Sequence, residues 1–140
     1  MNENCVFCDI AAGKLPSYKV YEDREILGFL DINPLAPGHT LIIPKKHYVD
    51  VFDIPADNLK SIAEVAQIIA KKIRESGLGQ DVNLFNASGV SAEQSVFHFH
   101  IHVIPRNPTD SIGVHGWWNP KVVRLRSAEM ESASRKLSIE

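Results

Sequence analysis

Only two cysteines, Cys5 and Cys8, occur among the 140 residues. A pair three positions apart is too sparse for the disulfide framework of a small secreted domain, which leaves metal binding, redox chemistry or no role. A basic excess is also lacking: 15 Lys and Arg stand against 17 Asp and Glu, a formal net charge of −2. Attachment to a nucleic-acid backbone draws on surplus cations, so nucleic acid is not an expected partner. No apolar run approaches the roughly 18 residues of a membrane span, and the segment Met1 to Ile10 has neither the basic nor the apolar region of a secretory signal. The expectation is a cytoplasmic protein with no membrane partner. Repeats, low-complexity tracts and charge blocks are missing too, so one domain over residues 1–140 is expected, with the informative motifs in about 5–106 and a C-terminal tail over 107–140.

Hydropathy patterning supplies the elements. Cys5 to Ala12 reads as a short helix ended by Gly13, with Pro16 blocking its continuation. Tyr18 to Tyr21 and Ile26 to Ile32 read as a hairpin about the turn Glu22 to Glu25, and Thr40 to Ile43 as a third strand closed by Pro44. In Asn58 to Ser76, Leu59, Ile62, Ala66, Ile69 and Ile73 recur at steps of three and four, which predicts one long amphipathic helix. Val82 to Phe85 and Val96 to Ile104 follow as strands, with Pro105 expected to stop the ladder. Asn107 to Arg126 has no clean period. Ser127, with Glu129 and Glu131 early and Arg135 and Lys136 late, suits a capped final helix. Strands on both sides of one long helix, without β-α alternation, predict an α+β fold: an antiparallel-dominated sheet with one long helix and short flanking helices.

The richest segment is Val96 to Pro105. Strand alternation puts His98, His100 and His102 on one face and Phe97, Phe99, Ile101 and Val103 on the other. Three of the six histidines crowd into five residues, a concentration that solubility does not explain. A three-histidine zinc site is resisted by geometry, because the Cα atoms of His98 and His102 would stand ~13 Å apart on an extended strand. A division of labour suits imidazole better, one ring attacking and another donating hydrogen bonds, since it is largely neutral near pH 7 and has two distinct nitrogens.

The run from Gln94 to Val103 resembles the signature of the histidine-triad (HIT) superfamily, in which histidines alternate with apolar residues. The resemblance continues through Phe29 to Pro34, Pro37 to His47 and Asn86 to Gly89, and is greatest to the Hint branch and its bacterial relatives, nucleotide-binding homodimers that hydrolyse or transfer nucleoside monophosphate groups. It implies a HIT-like fold and a purine nucleotide substrate. It makes His100 the nucleophile at an α-phosphorus, forming a nucleotidyl-histidine that water resolves. His102 is implied to contact the phosphate oxygens, and Ser95 to assist the phosphate or the leaving group. Asp31 matches the acceptor of the ribose hydroxyls, and Phe7, Ile10 and Phe29 match apolar positions of the purine pocket. Asn86 and Gln94 join the nucleotide-binding set, while Glu93 stands where the family frequently has Gly. The favoured substrate is a purine nucleoside 5′-phosphoramidate. The alternatives are a dinucleoside polyphosphate hydrolase and a nucleotide-binding adaptor with incidental turnover.

The Cys5-x-x-Cys8 pair precedes every strand, which weakens a thioredoxin-like redox reading. Bacterial family members with this pair bind structural zinc through it, the His after Pro-Lys-Lys and the first triad His; here those are His47 and His98. Two Cys and two His would close a tetrahedral site with no open position. His39 and His115 read as structural or solvated. Trp117 and Trp118 suit a leaving-group pocket, tail packing or a dimer interface.

Overall fold

In the computed structural model, which describes residues 4–139, the chain falls into two compact units that divide between Thr109 and Asp110. The first opens with a one-and-a-half-turn helix, α1 (Val6–Ala11), whose N-cap is Cys5: its Sγ accepts the Cys8 N–H at 3.3 Å. Five strands follow: β1 (Lys19–Glu22), β2 (Ile26–Leu30), β3 (Thr40–Pro44), β4 (Asp81–Phe85) and β5 (Ile101–Arg106). They form one antiparallel sheet in the order β1-β2-β3-β5-β4, with the long helix α2 (Ala56–Glu75) between β3 and β4 in sequence.

Helices cover the sheet on both sides, and this explains why β2 and β3 read as unbroken apolar runs rather than alternating ones. Ile62, Val65, Ala66, Ile69 and Ile73 of α2 pack with Ile26, Ile42, Phe99 and Val103 in one buried cluster. The intervening residues Leu27, Phe29, Leu41 and Ile43 point the other way and pack with Cys5, Phe7 and Cys8 about α1. Each fully buried Ile or Leu contributes about 1.5–3 kcal/mol, so both layers matter to stability. None of the helices, among the described residues, is long and apolar enough to cross a membrane.

Three expectations need correction. The strand carrying the histidines begins at Ile101 rather than Val96, because side chains take the bonds a ladder would use. Gln94 Nε2 donates to the Val96 carbonyl at 3.0 Å and Asn86 Nδ2 to the His100 carbonyl at 2.9 Å, while the Phe99 N–H goes to the Tyr48 carbonyl at 2.6 Å. The bend this produces leaves Phe97 45% exposed, whereas Phe99 and Val103 are buried. Pro105 does not stop β5, which runs to Arg106 opposite Asp81, beyond the reach of β3. Gly79 makes that pairing possible, since a Cβ there would fall 2.9 Å from the Pro105 side chain. Ser127 is the first helical residue of its helix, not its cap; Arg126 caps it, its backbone N–H donating to Glu129 Oε1 at 3.4 Å.

The second unit holds a short helix, α3 (Val114–Trp118), one 3₁₀ turn (Asn119–Lys121) and α4 (Ser127–Leu137). Lys121 Nζ donates to the Trp117 carbonyl at 3.0 Å and lies 5.0 Å from the Trp117 ring centroid. The short α3 and the 3₁₀ turn carry no period for a sequence to show.

Candidate functional site

The register of β5 sets His102 opposite Leu41 of β3 and Phe85 of β4, which places it on the α1 side of the sheet. That side holds a cavity of about 540 Å³, with apolar walls from Phe7, Ile10, Phe29 and Leu41, and with Asp31, Ser95, His100 and His102 also lining it. Seven of the nine residues expected at a nucleotide site, His100 among them, therefore line one cavity. Asn86 and Gln94 do not line it. Asn86 braces the His100 carbonyl and accepts from Ser88 Oγ at 2.8 Å. The Gln94 amide is fully used, accepting from the Gly89 N–H and donating to the Val49 and Val96 carbonyls. The neighbouring Glu93 has φ +65°, the left-handed region that suits Gly and that the described residues show at no other non-glycine position.

Hydrogen-bond partners fix the tautomer of each ring. His100 Nδ1 stands 2.8 Å from the His98 carbonyl, which can only accept, so Nδ1 carries the proton and Nε2 keeps its lone pair. Burial lowers the pKa of His100 against the opposing pull of that bond and of Asp31, and keeps the ring neutral. His102 has the opposite tautomer. The Leu35 N–H donates to His39 Nδ1 at 3.0 Å, which leaves the His39 proton on Nε2 to be donated to His102 Nδ1 at 2.9 Å. The remaining proton of His102 is then on Nε2. Burial, reinforced by His100 and His39, pushes the His102 pKa down to about 4. The two adjacent rings, 5.0 Å apart between centroids, thus offer one lone pair and one donor.

His39 is the residue the sequence undervalued. It is 3% exposed and its Nε2 also lies 3.6 Å from Asp31 Oδ2. A histidine at the mouth of a strand paired with β5 was the available signal. Asp31 serves two ends at once: Oδ1 accepts the Asn33 N–H at 2.8 Å to form the turn before Pro34, and Oδ2 faces the two rings. Asp31, His39 and His102 offer atoms within 4.8 Å of one another, and the relay accounts for that approach without an ion. His115 is exposed, as are Trp117 and Trp118.

Next to this cavity the structure brings Cys5, Cys8, His47 and His98 together, with all four ligand atoms within 4.8 Å of one another. His98 Nε2 donates to the Pro44 carbonyl at 2.7 Å, so its Nδ1 lone pair faces Cys5 Sγ at 3.3 Å and Cys8 Sγ at 3.5 Å. His47 Nδ1 is 3.3 Å from Cys8 Sγ. A tetrahedron with bonds of about 2.3 Å to sulfur and about 2.1 Å to nitrogen has S···N edges of about 3.6 Å, close to all three. The donor set and its spacing fit a divalent zinc-class ion. Burial raises the Cys5 pKa and pushes that of His98 down to about 4, so without a cation these two groups favour their neutral forms.

An antiparallel sheet flanked by helices, with paired imidazoles of opposite tautomer over an apolar cavity, defines a class of small α+β domain equipped for nucleophilic chemistry. The HIT domain family matches residues 12–109, and the chain belongs to that family, whose members are typically nucleotide hydrolases. It is 46% identical over 104 residues to Protein hit of Bacillus subtilis, covering 74% of this chain and 72% of that one. A crystal structure of a Zn-bound histidine triad family protein from Mycobacterium smegmatis superposes with a TM-score of 0.76 at 43% identity, covering 79% of this chain and 81% of that one. The protein named Adenylylsulfatase HINT3, from Arabidopsis thaliana, is 34% identical over 98% of this chain and 67% of its own length.

Proposed function

We propose that the protein hydrolyses purine nucleoside 5′-phosphoramidates through a nucleotidyl-histidine formed on His100, and that it carries a structural zinc. The observation that supports this reading best is the opposed tautomers of His100 and His102 beside an apolar slot. His100 Nε2 attacks the α-phosphorus with its free lone pair. The N–P bond forms as the bond to the leaving amine breaks, and the amine departs with that electron pair and a proton drawn from solvent, which the water of the second step later returns. His102 Nε2–H donates to the phosphate oxygens, where charge builds in the transition state, and Ser95 lies at the same cavity to assist phosphate or leaving group. Water then attacks phosphorus, the N–P bond breaks, and Nε2 recovers its lone pair as the monophosphate leaves. Asp31 accepts from the ribose hydroxyls, and Phe7, Ile10 and Phe29 enclose the base. Asn86 and Gln94 act from behind, on the backbone that carries His100.

Cys5, Cys8, His47 and His98 would hold the zinc, which supplies no catalytic chemistry and adds to folding free energy when bound. The chain's own part is to present two thiolates and two Nδ1 lone pairs. A homodimer is supported by β4, an edge strand on which Leu84 and Phe85 are 57% and 52% exposed. The cytoplasm, where thiols stay reduced, suits the Cys pair.

A second reading, transfer of an adenylyl group from an anhydride rather than an amidate, is favoured by the name of the Arabidopsis relative. Both use attack at the same phosphorus. Single-turnover mixing with adenosine 5′-phosphoramidate labelled at the α-phosphorus tests the chemistry: labelled protein should appear, survive base and lose its label in acid. Absence of both adduct and turnover would overturn it, and label retained by His100→Ala would reassign the nucleophile.

A further inference from the structure

The hydroxyl of Ser17 is the one side-chain nitrogen or oxygen that, among the described residues, is shut off from water with no hydrogen-bond partner. Ser17 follows Leu15 and Pro16 in the wall of the cavity that His100 and His102 also line. Asp31 closes its turn and faces His39, and the two histidines are set by their partners, while Ser95 and Asn33 line the cavity as well. A buried hydroxyl without a partner destabilises the fold that contains it, so such a group is retained where a ligand supplies the missing bond. A serine has three staggered χ1 positions, and the contact requires the one that turns Oγ towards the cavity its residue lines.

We propose that Ser17 is a specificity-determining residue that hydrogen-bonds the polar edge of the nucleobase. The proposal rests on the reading of this cavity as a nucleotide site. Phe7, Ile10 and Phe29 offer a base only apolar contact, which grips any flat ring alike. One hydroxyl, able both to donate and to accept, adds preference for a ring with an amino, oxo or ring-nitrogen group at that point and tolerates either polarity. Sugar and phosphate should be indifferent to it.

The test is isothermal titration of AMP and of ribose 5-phosphate into wild type, Ser17→Ala and Ser17→Thr, with melting curves of the ligand-free proteins. Ser17→Ala should weaken AMP about 3- to 10-fold, the worth of one neutral hydrogen bond, and leave ribose 5-phosphate unchanged. Ser17→Thr, which keeps the hydroxyl, should retain most of the AMP affinity. Ligand-free Ser17→Ala should melt higher than wild type, because the unpaired group is gone. Equal AMP affinity in wild type and Ser17→Ala overturns the proposal while sparing the nucleotide reading. Equal weakening of both ligands also overturns it, by placing the effect on sugar, phosphate or fold. Wild type that binds neither ligand overturns the nucleotide reading itself, and the proposal with it.

Discussion

Two histidine clusters lie side by side, joined through the segment that carries His98, His100 and His102, and they differ in what they leave free. In the cysteine cluster every donor faces inward: His98 gives its Nε2 proton to Pro44 and turns Nδ1 to the sulfurs. In the cavity cluster each ring spends Nδ1 on the protein and keeps Nε2 for whatever enters. The same side chain offers a lone pair to the sulfurs, a lone pair to the cavity or a donor to the cavity according to which carbonyl or ring its other nitrogen meets. Identity of the residue is therefore a poor guide to role here, and the partner is a good one.

The strongest way to break this contrast is at His100. His100→Ala should lower single-turnover rate by about 10³-fold or more while mononucleotide affinity stays within about threefold, since a bond-forming group is lost rather than a binding one. Comparable losses in rate and affinity would make the ring a binding group and erase the difference between the clusters. At the other cluster, Cys8→Ser should take zinc from near one per chain to near none and lower the melting temperature with it. Rate should fall by only about 10-fold, through His98, whose carbonyl orients His100. Elemental analysis beside calorimetry checks this, and zinc that survives loss of both Cys5 and Cys8 would reassign His98.

His39 sharpens the contrast on the donor side. His39→Ala frees His102 Nδ1 to take the proton, so the rate should fall about 10-fold with little change in AMP affinity. Nitrogen-15 spectra of His102 should show the shift in tautomer; an unchanged spectrum would show that the relay does not set it. The smallest effect is on stability. An unfolded histidine titrates near 6.5 and folded His102 at about 4, with His39 shifted the same way by burial. Between those values the unfolded chain binds protons that the fold refuses. The contribution is thus complete above about 6.5 and is lost progressively as pH falls towards about 4. Denaturant unfolding across that range should show the decline, and His102→Asn should flatten part of it.

Periodicity made α2 and the pairing of β1 with β2 legible, because α2 is long and its apolar face regular. The triad was legible as chemistry from its alternation, whereas the spacing of the Cys pair left metal, redox or no role open and only the family resemblance joined it to His47 and His98. The bend at Val96 to His98 was not, because it depends on amides arriving from Gln94 and Asn86. His39 was illegible for a related reason: its worth lies in a ring 63 residues away.

One consequence of α1 concerns the order in which the molecule is built. A helix of six residues has no stability alone, and Cys5 meets His98 across 93 residues of chain. Its docking must await the sheet, which makes it a late event in folding. Since Phe7 rides on that helix, the cavity beside His100 is completed only once the helix has docked. Metal availability during maturation would then govern how quickly a newly made chain becomes competent to bind nucleotide, apart from any effect on the finished protein.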